Sequence, residues 1–291
     1  MFELCSREFD LFSIMESGQA FRIRRLGQPK SGTFLAAAGK RAAAICQEPC
    51  PGDPESMRLT FSCAPEEFES FWRDYFDLDR DYGAIRRSVD PGDAFLREAA
   101  ELGRGVRILH QDLWETIVSF LISQNNNIPR IRNSIEALCR RYGEEIRIPG
   151  AEGESCFSFP APERIREGGP EGLQGLGLGY RDKYILKMAE RCSGDGGREW
   201  LKRLSAGSYE TSRQLLLEEF GIGKKVADCI CLFALRHVEA FPVDTHIRQI
   251  LDAHYPEGFP FERYEGYAGI LQQYLFFAEL KSAGTGRSRN G

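Results

Sequence analysis

The sequence predicts an α+β protein in which an N-terminal antiparallel β-sheet domain, residues 1–90, precedes a mostly α-helical body, residues 91–280. The first part contains short segments rich in β-forming or small residues, separated by clusters of glycine and proline. The second part contains long segments with apolar residues at the helical period of about 3.6. A chain of 291 residues is long enough to bury a separate core in each part.

Each predicted element follows from this patterning. Strands are expected at residues 33–44 and 57–63, between glycine- and proline-rich turns at 27–32 and 51–54. Helices are expected at residues 95–102, 113–123, 130–142, 183–191, 212–220, 225–236 and 267–280, with another after Pro242. Glycine and proline throughout residues 150–175 predict a connecting loop, and residues 281–291 are expected to form a flexible tail.

Composition limits the partners that the chain can have. A net charge of −5 and a pI near 5.6 have the wrong sign for a simple electrostatic binder of nucleic acid. Residues 1–100 hold 13 basic and 17 acidic side chains, which leaves the rest of the chain close to neutral. A local basic face is still possible there, formed by Arg130, Arg132, Arg181, Lys183, Lys224 and Lys225. We therefore expect modest, strongly salt-dependent affinity for DNA in general.

Cysteine usage and the N-terminal sequence predict a location. Nine cysteines without an apolar signal segment indicate an intracellular, reducing compartment, either cytoplasm with nucleoid or nucleus. No run approaches the ~18 apolar residues of a membrane span, so no membrane contact is expected. No metal site is expected from the cysteines, because Cys46 and Cys50 lie in a proline-rich loop and Cys229 and Cys231 point to different sides of a helix.

Residues 215–251 carry the most chemical information. They predict a helix, a tight hairpin at residues 220–223, a second helix, and a third helix after a break at Pro242. The helix-hairpin-helix motif spans about residues 212–236. Lys225 falls in the first turn of the second helix, where the positive end of the helix dipole disfavours a cation.

Lys225 and Asp244 each have two interpretations. Lys224 and Lys225 can be solvated charges or phosphate contacts beside the hairpin glycine amides. Alternatively, the helix N-terminus and partial burial favour a neutral, nucleophilic amine at Lys225. Asp244 is a good N-cap for the third helix, and the same carboxylate can take part in catalysis.

Two runs, GIGKKVADC at residues 221–229 and PVDTH at residues 242–246, resemble motifs of the 8-oxoguanine DNA glycosylase family of the helix-hairpin-helix base-excision superfamily. In that family the first run carries a nucleophilic lysine and the second carries an aspartate. Similar blocks occur in the same order at residues 17–22, 123–128, 177–181 and 272–276. The resemblance covers about residues 1–280. Two departures are Phe220, where the hairpin usually has proline, and Ile23, where the family often has tryptophan.

The resemblance implies a bifunctional DNA glycosylase/AP lyase that flips 8-oxoguanine out of duplex DNA and needs no cofactor. Lys225 would attack C1′ and form a Schiff base that permits β-elimination, while Asp244 would stabilise the cationic sugar. The phosphate contacts would be Gly221, Gly223, Lys224 and His246, with a monovalent cation possible at hairpin carbonyls such as that of Ile222. From the residues alone, His246 can equally be a capping or core histidine.

Four further residues are implied to act where the base leaves the duplex. Asn125 would fill the gap, Tyr180 would act as a wedge, and Arg130 and Arg181 would read the two acceptors of an orphaned cytosine. Lesions opposite cytosine should therefore be preferred over those opposite adenine. Without the resemblance, Asn125 can simply end a helix, Tyr180 can be a half-buried tyrosine, and the arginines can clamp phosphates.

The lesion itself would be recognised by four residues. The Gly18 carbonyl would accept the N7 proton that distinguishes 8-oxoguanine from guanine. Gln272 and Phe276, one helical turn apart, would bind the pairing edge and stack on the base, and Cys229, on the Lys225 face, would form the opposite wall. Without the resemblance, Gly18 would pass as a turn glycine and the others as core.

The protein is expected to be a monomer. Two other functions fit part of the pattern. A monofunctional alkyl-base glycosylase of the same superfamily would keep Asp244 but need no amine, so Lys225 argues against it. A non-catalytic helix-hairpin-helix DNA-binding protein would need neither Lys225 nor Asp244.

Overall fold

The protein has the predicted α+β architecture, a five-stranded antiparallel sheet followed by a helical body. The computed structural model describes residues 1–28, 31–151 and 153–288, with only the backbone for Pro54 and residues 283–288. Within these ranges, no helix combines the length and apolar character needed to cross a bilayer.

The sheet has the strand order β1-β5-β4-β3-β2, and all neighbours are antiparallel. The strands are β1 Phe2–Ser6, β2 Ile23–Arg25, β3 Thr33–Ala38, β4 Arg41–Cys50 and β5 Asp53–Phe61. The single segment predicted at residues 33–44 belongs to two strands because Gly39, at φ 55°, reverses the chain. A short helix, α1 Leu11–Glu16, follows β1 and ends just before Gly18.

The helical elements begin within the N-terminal part and continue to the C-terminus. After α1 they are α2 Pro65–Glu67, a π-helical turn Phe68–Trp72, α3 Arg73–Tyr75, α4 Tyr82–Arg87, α5 Ala94–Leu102, α6 Leu113–Ser123, α7 Ile128–Tyr142, α8 Pro162–Gly172, a 3₁₀ turn Gly179–Arg181, α9 Asp182–Cys192, α10 Gly194–Ala206, α11 Tyr209–Leu217, α12 Lys224–Phe233, α13 Thr245–His254, a 3₁₀ turn Phe261–Tyr264 and α14 Ala268–Ser288. The predicted helices are all present, with ends shifted by a few residues.

The loop prediction for residues 150–175 was wrong in its second half, where α8 forms. Pro162 starts this helix with a preset φ, and Gly169 at φ 59° makes a kink that lets helical structure resume at Pro170. The glycine-rich start of α10 hid that helix from sequence analysis in the same way.

The flexible tail predicted at residues 281–291 was wrong for residues 281–288, which continue α14; residues 289–291 lie outside the described ranges. Each residue added to an existing helix gains a hydrogen bond without a new nucleation cost. The Lys281 ammonium also packs over the rings of Phe12 and Phe277, at 4.8 and 5.0 Å from their centroids. These contacts hold the start of the extension against the protein.

The sheet and the body have separate apolar cores that interlock across the predicted boundary at residue 90. Phe21 and Tyr82 come from the first part but pack in the body core, whereas Leu109 packs in the sheet core. The buried Arg107 guanidinium donates to the carbonyls of Glu8 and Phe76, among others, and so fixes the junction. The domain boundary itself stays a prediction.

One pair of cysteines departs from the expectation of a fully reduced protein. Cys5 on β1 and Cys50 at the end of β4 form a disulfide, although β5 lies between these two strands in the sheet. The other seven cysteines are free, and six of them are buried. Spacing in the sequence could not indicate this pair, because 45 residues separate its members and the sheet register brings them together.

Candidate active site

The predicted hairpin joins α11 to α12 and depends on its first glycine. Gly221 has φ 90°, and a Cβ there would lie 2.6 Å from the Tyr184 ring, so both the backbone and the space require glycine. Gly223 is the N-cap of α12 and provides no side-chain cap. The first amides of α12 are therefore available to an external anion.

Lys225 and Cys229 share one face of α12, as predicted. The Lys225 Nζ lies 5.1 Å from the centroid of the Phe120 ring on α6. Cys229 is fully buried one helical turn further on, and burial raises the pKa of its thiol, although the charge of Lys225 and a hydrogen bond from it oppose this. Lys225 is therefore packed between an aromatic ring and a protonated thiol.

Asp244 caps α13, as predicted. Its Oδ1 accepts a hydrogen bond of 2.9 Å from the Ile247 amide. The carboxylate also lines an open cleft of about 770 Å³. Because Lys225 lines the same cleft, the structure brings the proposed amine and carboxylate together from two different helices.

The cleft collects most of the residues predicted to contact DNA. One wall comes from the hairpin and α12, one from the start of α13, and one from the loop between α6 and α7. Predicted site residues on these walls, besides Lys225 and Asp244, are Asn125, Arg130, Gly223, Lys224 and His246. Arg130, Lys224 and His246 are exposed, which suits contact with a large ligand.

The four residues predicted to recognise the lesion also converge. Gly18, Cys229, Gln272 and Phe276 line a narrow chamber of about 30 Å³ together with Lys225 and Asp244. Gly18 has φ 75°, and a Cβ on it would lie 3.0 Å from Phe276 Cε1. The absence of a side chain at residue 18 therefore keeps this wall of the chamber clear.

Two neighbouring glutamines of α14 shape the chamber. Gln272 donates from Nε2 to the Pro242 carbonyl at 2.9 Å, while its buried Oε1 has no hydrogen-bond partner among the described residues. Such an acceptor costs free energy until a ligand donor reaches it. Gln273 donates to the Ser17 carbonyl at 2.6 Å and so holds the turn before Gly18. The sequence analysis missed Gln273, although two glutamines within an apolar helix were a usable signal.

The loop after α6 is tied to both the hairpin and the Tyr180 turn. Asn125 has a left-handed backbone, φ 48°, and donates from Nδ2 to the Tyr180 hydroxyl at 3.1 Å. Gln124 donates to the Gly221 carbonyl at 3.0 Å. Gln124, another residue that the sequence analysis missed, thus connects the predicted gap-filling loop to the predicted phosphate-binding hairpin.

Arg181 is not on the cleft wall with Arg130. Only 7% of it is exposed, and its guanidinium donates to the carbonyls of Gln124, Asn125 and Leu178 at 2.7, 2.9 and 3.1 Å. In this state Arg181 anchors the loop instead of presenting donors to a ligand. A motif cannot reveal this, because two of the three carbonyls, those of Gln124 and Asn125, are 57 and 56 residues away along the chain.

Comparisons with known proteins agree with this arrangement. The family model "8-oxoguanine DNA glycosylase, N-terminal domain" matches residues 1–117, and "HhH-GPD superfamily base excision DNA repair protein" matches residues 118–258. An N-glycosylase/DNA lyase of Saccharomyces cerevisiae is 31% identical over 87% of this chain and 69% of its own length. The N-glycosylase/DNA lyase OGG1 of Arabidopsis thaliana is 30% identical over 97% of this chain and 80% of its own length.

A solved structure is similar over nearly the whole chain. The Clostridium acetobutylicum 8-oxoguanine glycosylase/lyase, in complex with double-stranded DNA containing cytosine opposite 8-oxoguanine, superposes with a TM-score of 0.83 at 29% identity. The alignment covers 95% of this chain and 93% of that one. With its fold, its hairpin and its converging site residues, the chain belongs to the 8-oxoguanine DNA glycosylase family of the HhH-GPD base-excision repair superfamily, as its motifs predicted.

Proposed function

We propose that the protein is a bifunctional DNA glycosylase/AP lyase that excises 8-oxoguanine from duplex DNA and then cleaves the strand. One observation carries this proposal: Lys225 and Asp244 line both the open cleft and the narrow chamber. A sugar at the junction would face the amine and the carboxylate while its base occupies the chamber. No cofactor takes part in this chemistry.

The proposed reaction begins when the lesion nucleotide is flipped out of the duplex. The lone pair of neutral Lys225 forms a bond to C1′ as the bond from C1′ to the base breaks, and the base leaves with that bonding pair and takes up a proton. The Asp244 carboxylate stabilises positive charge on the sugar and accepts protons from the amine. Opening of the sugar ring gives a Schiff base, and loss of a C2′ proton then expels the 3′ phosphate.

Lesion recognition would use the walls of the chamber. The Gly18 carbonyl would accept the N7 proton of 8-oxoguanine, where guanine would instead present a second acceptor. The unpartnered Oε1 of Gln272 suits the donors on the pairing edge of a guanine base. Phe276 would stack on one face of the base and Cys229 would contact the other.

The opposite base would be read at the mouth of the cleft. Asn125 would enter the gap left by the flipped nucleotide, and Tyr180, which is 45% exposed and hydrogen-bonded to it, would wedge against the stack. Arg130 would donate to N3 and O2 of an orphaned cytosine, whereas adenine would leave the guanidinium partly unpaired. Arg181 could contact the cytosine together with Arg130 only if its guanidinium gave up its hydrogen bonds to the loop carbonyls. Excision opposite cytosine should thus be faster than opposite adenine, and equal rates would contradict this.

The phosphates would be held on both sides of the site. Gly221 and Gly223 belong to the hairpin, and Lys224 and His246 are exposed at the starts of α12 and α13. A monovalent cation at the hairpin would use carbonyls such as that of Ile222, since Gln124 already occupies the Gly221 carbonyl. We propose that one copy of the chain acts alone within the cell, because all these residues come from one chain.

The two rival functions explain less of the site. A monofunctional alkyl-base glycosylase would use Asp244 but not the Lys225 amine at the chamber, and a non-catalytic DNA-binding protein would use the hairpin but not the chamber. Both rivals predict that no covalent adduct forms with DNA.

Borohydride trapping on a duplex with 8-oxoguanine opposite cytosine tests the proposal. Wild-type protein should form a covalent adduct, and Lys225→Gln should form none. Lys202→Gln, which changes an exposed lysine of α10, is the matched control and should trap like the wild type. An undiminished adduct with Lys225→Gln, or none with the wild type, would remove the covalent mechanism.

A further inference from the structure

Three aromatic side chains form a row beside the hairpin. The ring centroids of Tyr180 and Tyr184 are 5.8 Å apart, and those of Tyr184 and Phe220 are 5.1 Å apart, both with edge-on geometry. The Asn125 amide is hydrogen-bonded to the Tyr180 hydroxyl at one end of the row. The row therefore leads from the gap-filling residue to the phosphate-binding hairpin.

Phe220 lies at the other end of the row, and packing within the fold does not explain why its ring is so exposed. Tyr184 covers Gly221 and is needed for the hairpin itself. Phe220 leaves 56% of its surface exposed, the second largest exposure among the exposed large apolar side chains of the described residues. A phenylalanine in that position adds apolar surface that the fold does not bury.

Glu218 and Glu219 directly precede Phe220, and Glu219 is paired with Arg191, but the side towards Tyr184 and α12 carries two lysines. Lys183 places its ammonium 5.7 Å from the Tyr184 ring centroid, and Lys224 is exposed three residues after the hairpin glycine Gly221. Basic side chains interleaved with exposed aromatic rings suit a nucleic-acid backbone, because the cations attract phosphates and the rings contact sugars or bases.

From this arrangement we infer that Phe220 is a DNA-contact residue, which packs its ring on the deoxyribose next to the phosphate held by the hairpin. The inference rests on the DNA-binding face proposed above. The contact is apolar, so it adds affinity without adding a phosphate contact. It also takes the place of a hairpin proline, which has too little surface to extend the row.

The test is binding to a duplex that contains a tetrahydrofuran abasic analogue, which lacks the C1′ hydroxyl and cannot form a Schiff base. Phe220→Ala should weaken binding by about fivefold, the effect of losing a partly buried ring. Its slope of log K against log salt should equal that of the wild type, whereas Lys224→Ala should reduce the slope by about 1. Phe220→Trp should bind like the wild type.

Leu102→Ala provides the matched control, because Leu102 is a similarly exposed apolar side chain at the end of α5, and it should leave binding unchanged. Thermal melting of each variant checks the fold. Wild-type affinity in Phe220→Ala, or a loss that Phe220→Trp shares, would overturn the inference. A reduced salt slope in Phe220→Ala would overturn it too, since the ring would then act only by placing the lysines.

Binding to this analogue does not depend on excision. A failure of the covalent mechanism would appear in the trapping assay with Lys225→Gln and leave the Phe220 result standing. A failure of the Phe220 contact would leave trapping intact.

Discussion

Gly18 determines, at the scale of a single residue, what the base chamber can accept. Its φ of 75° is strained for any residue with a side chain, and an added methyl would meet Phe276 at 3.0 Å. Gly18→Ala should therefore slow excision of 8-oxoguanine by roughly tenfold or more. Strand cleavage at a preformed abasic site should continue, because no base has to enter the chamber. Single-turnover rates on an 8-oxoguanine duplex and on a duplex with a preformed abasic site check this. An equal loss of rate on both duplexes would indicate a folding fault instead.

Cys229 gives a second prediction at this scale. Burial raises the pKa of its thiol, so the unreactive protonated form dominates near neutral pH. In the native protein, an alkylating reagent should modify the partly exposed Cys46 well before Cys229. Mass spectrometry of the alkylated peptides, with and without denaturant, measures the order. Early labelling of Cys229 would show that its wall of the chamber is open to solvent.

At the scale of elements, the start of α13 combines a helix cap with the proposed catalytic carboxylate. Asparagine caps helices about as well as aspartate. The free energy of unfolding of Asp244→Asn should therefore lie within about 0.5 kcal/mol of the wild-type value, while most excision activity is lost. Asp244→Ala should lose excision and also about 1 kcal/mol of stability. Thermal melts alongside single-turnover rates separate the two effects. Near-normal excision by Asp244→Asn would leave Asp244 as a cap only.

Two arginines near the loop between α6 and α7 differ in role: Arg181 anchors the loop, and Arg130 is proposed to read the opposite base. Arg181→Ala removes the donors from three carbonyls and should cost about 1–3 kcal/mol of stability. Arg130→Ala, at an exposed position, should change stability by less than about 0.5 kcal/mol but narrow the rate ratio between cytosine and adenine duplexes. Denaturation curves and paired excision rates test both. A loss of stability in Arg130→Ala together with a narrowed rate ratio in Arg181→Ala would mean that Arg130 anchors the loop and Arg181 reads the base.

For the whole molecule, His110 couples stability to pH where the two parts of the chain meet. Its side chain is 8% exposed and contacts Asp74, which is also bound by Arg236 after α12. Burial lowers the pKa of His110; Asp77 opposes this shift and Arg236 adds to it. Below the ordinary histidine pKa of about 6.5, the unfolded chain therefore binds a proton that the folded protein excludes. Acidification from that pH consequently lowers the free energy of unfolding.

Replacing His110 by glutamine should reduce this loss of stability. Urea denaturation at about pH 7.5, 6.5 and 5.5 should show a smaller decrease in the free energy of unfolding for His110→Gln than for the wild type. The same decrease in both proteins would assign the pH dependence to other groups.

The sequence predicted the parts of the site that lie close together along the chain. Lys225 and Cys229 are one helical turn apart, and Asp244 precedes the helix that it caps, so local rules were enough. The links from Gln124 to Gly221 and from Gln273 to Ser17 were not predicted, because only the packed fold brings these residues together. The helical structure of α8 was not predicted, because Gly169 does break the helix but helical structure resumes at once at Pro170.

The small volume of the base chamber affects how the protein searches a genome. About 30 Å³ is much smaller than a purine, so a base could enter only if the walls moved apart or if it extended into the adjoining space of about 520 Å³, which Gly18, Lys225 and Phe276 also line. In the proposed mechanism, undamaged guanine and the lesion face the same cost of entry, but only the lesion would recover it through the Gly18 carbonyl. Ordinary bases would therefore be excluded from the chamber, and the Lys225 amine and the Asp244 carboxylate would react only with the nucleotide that stays bound.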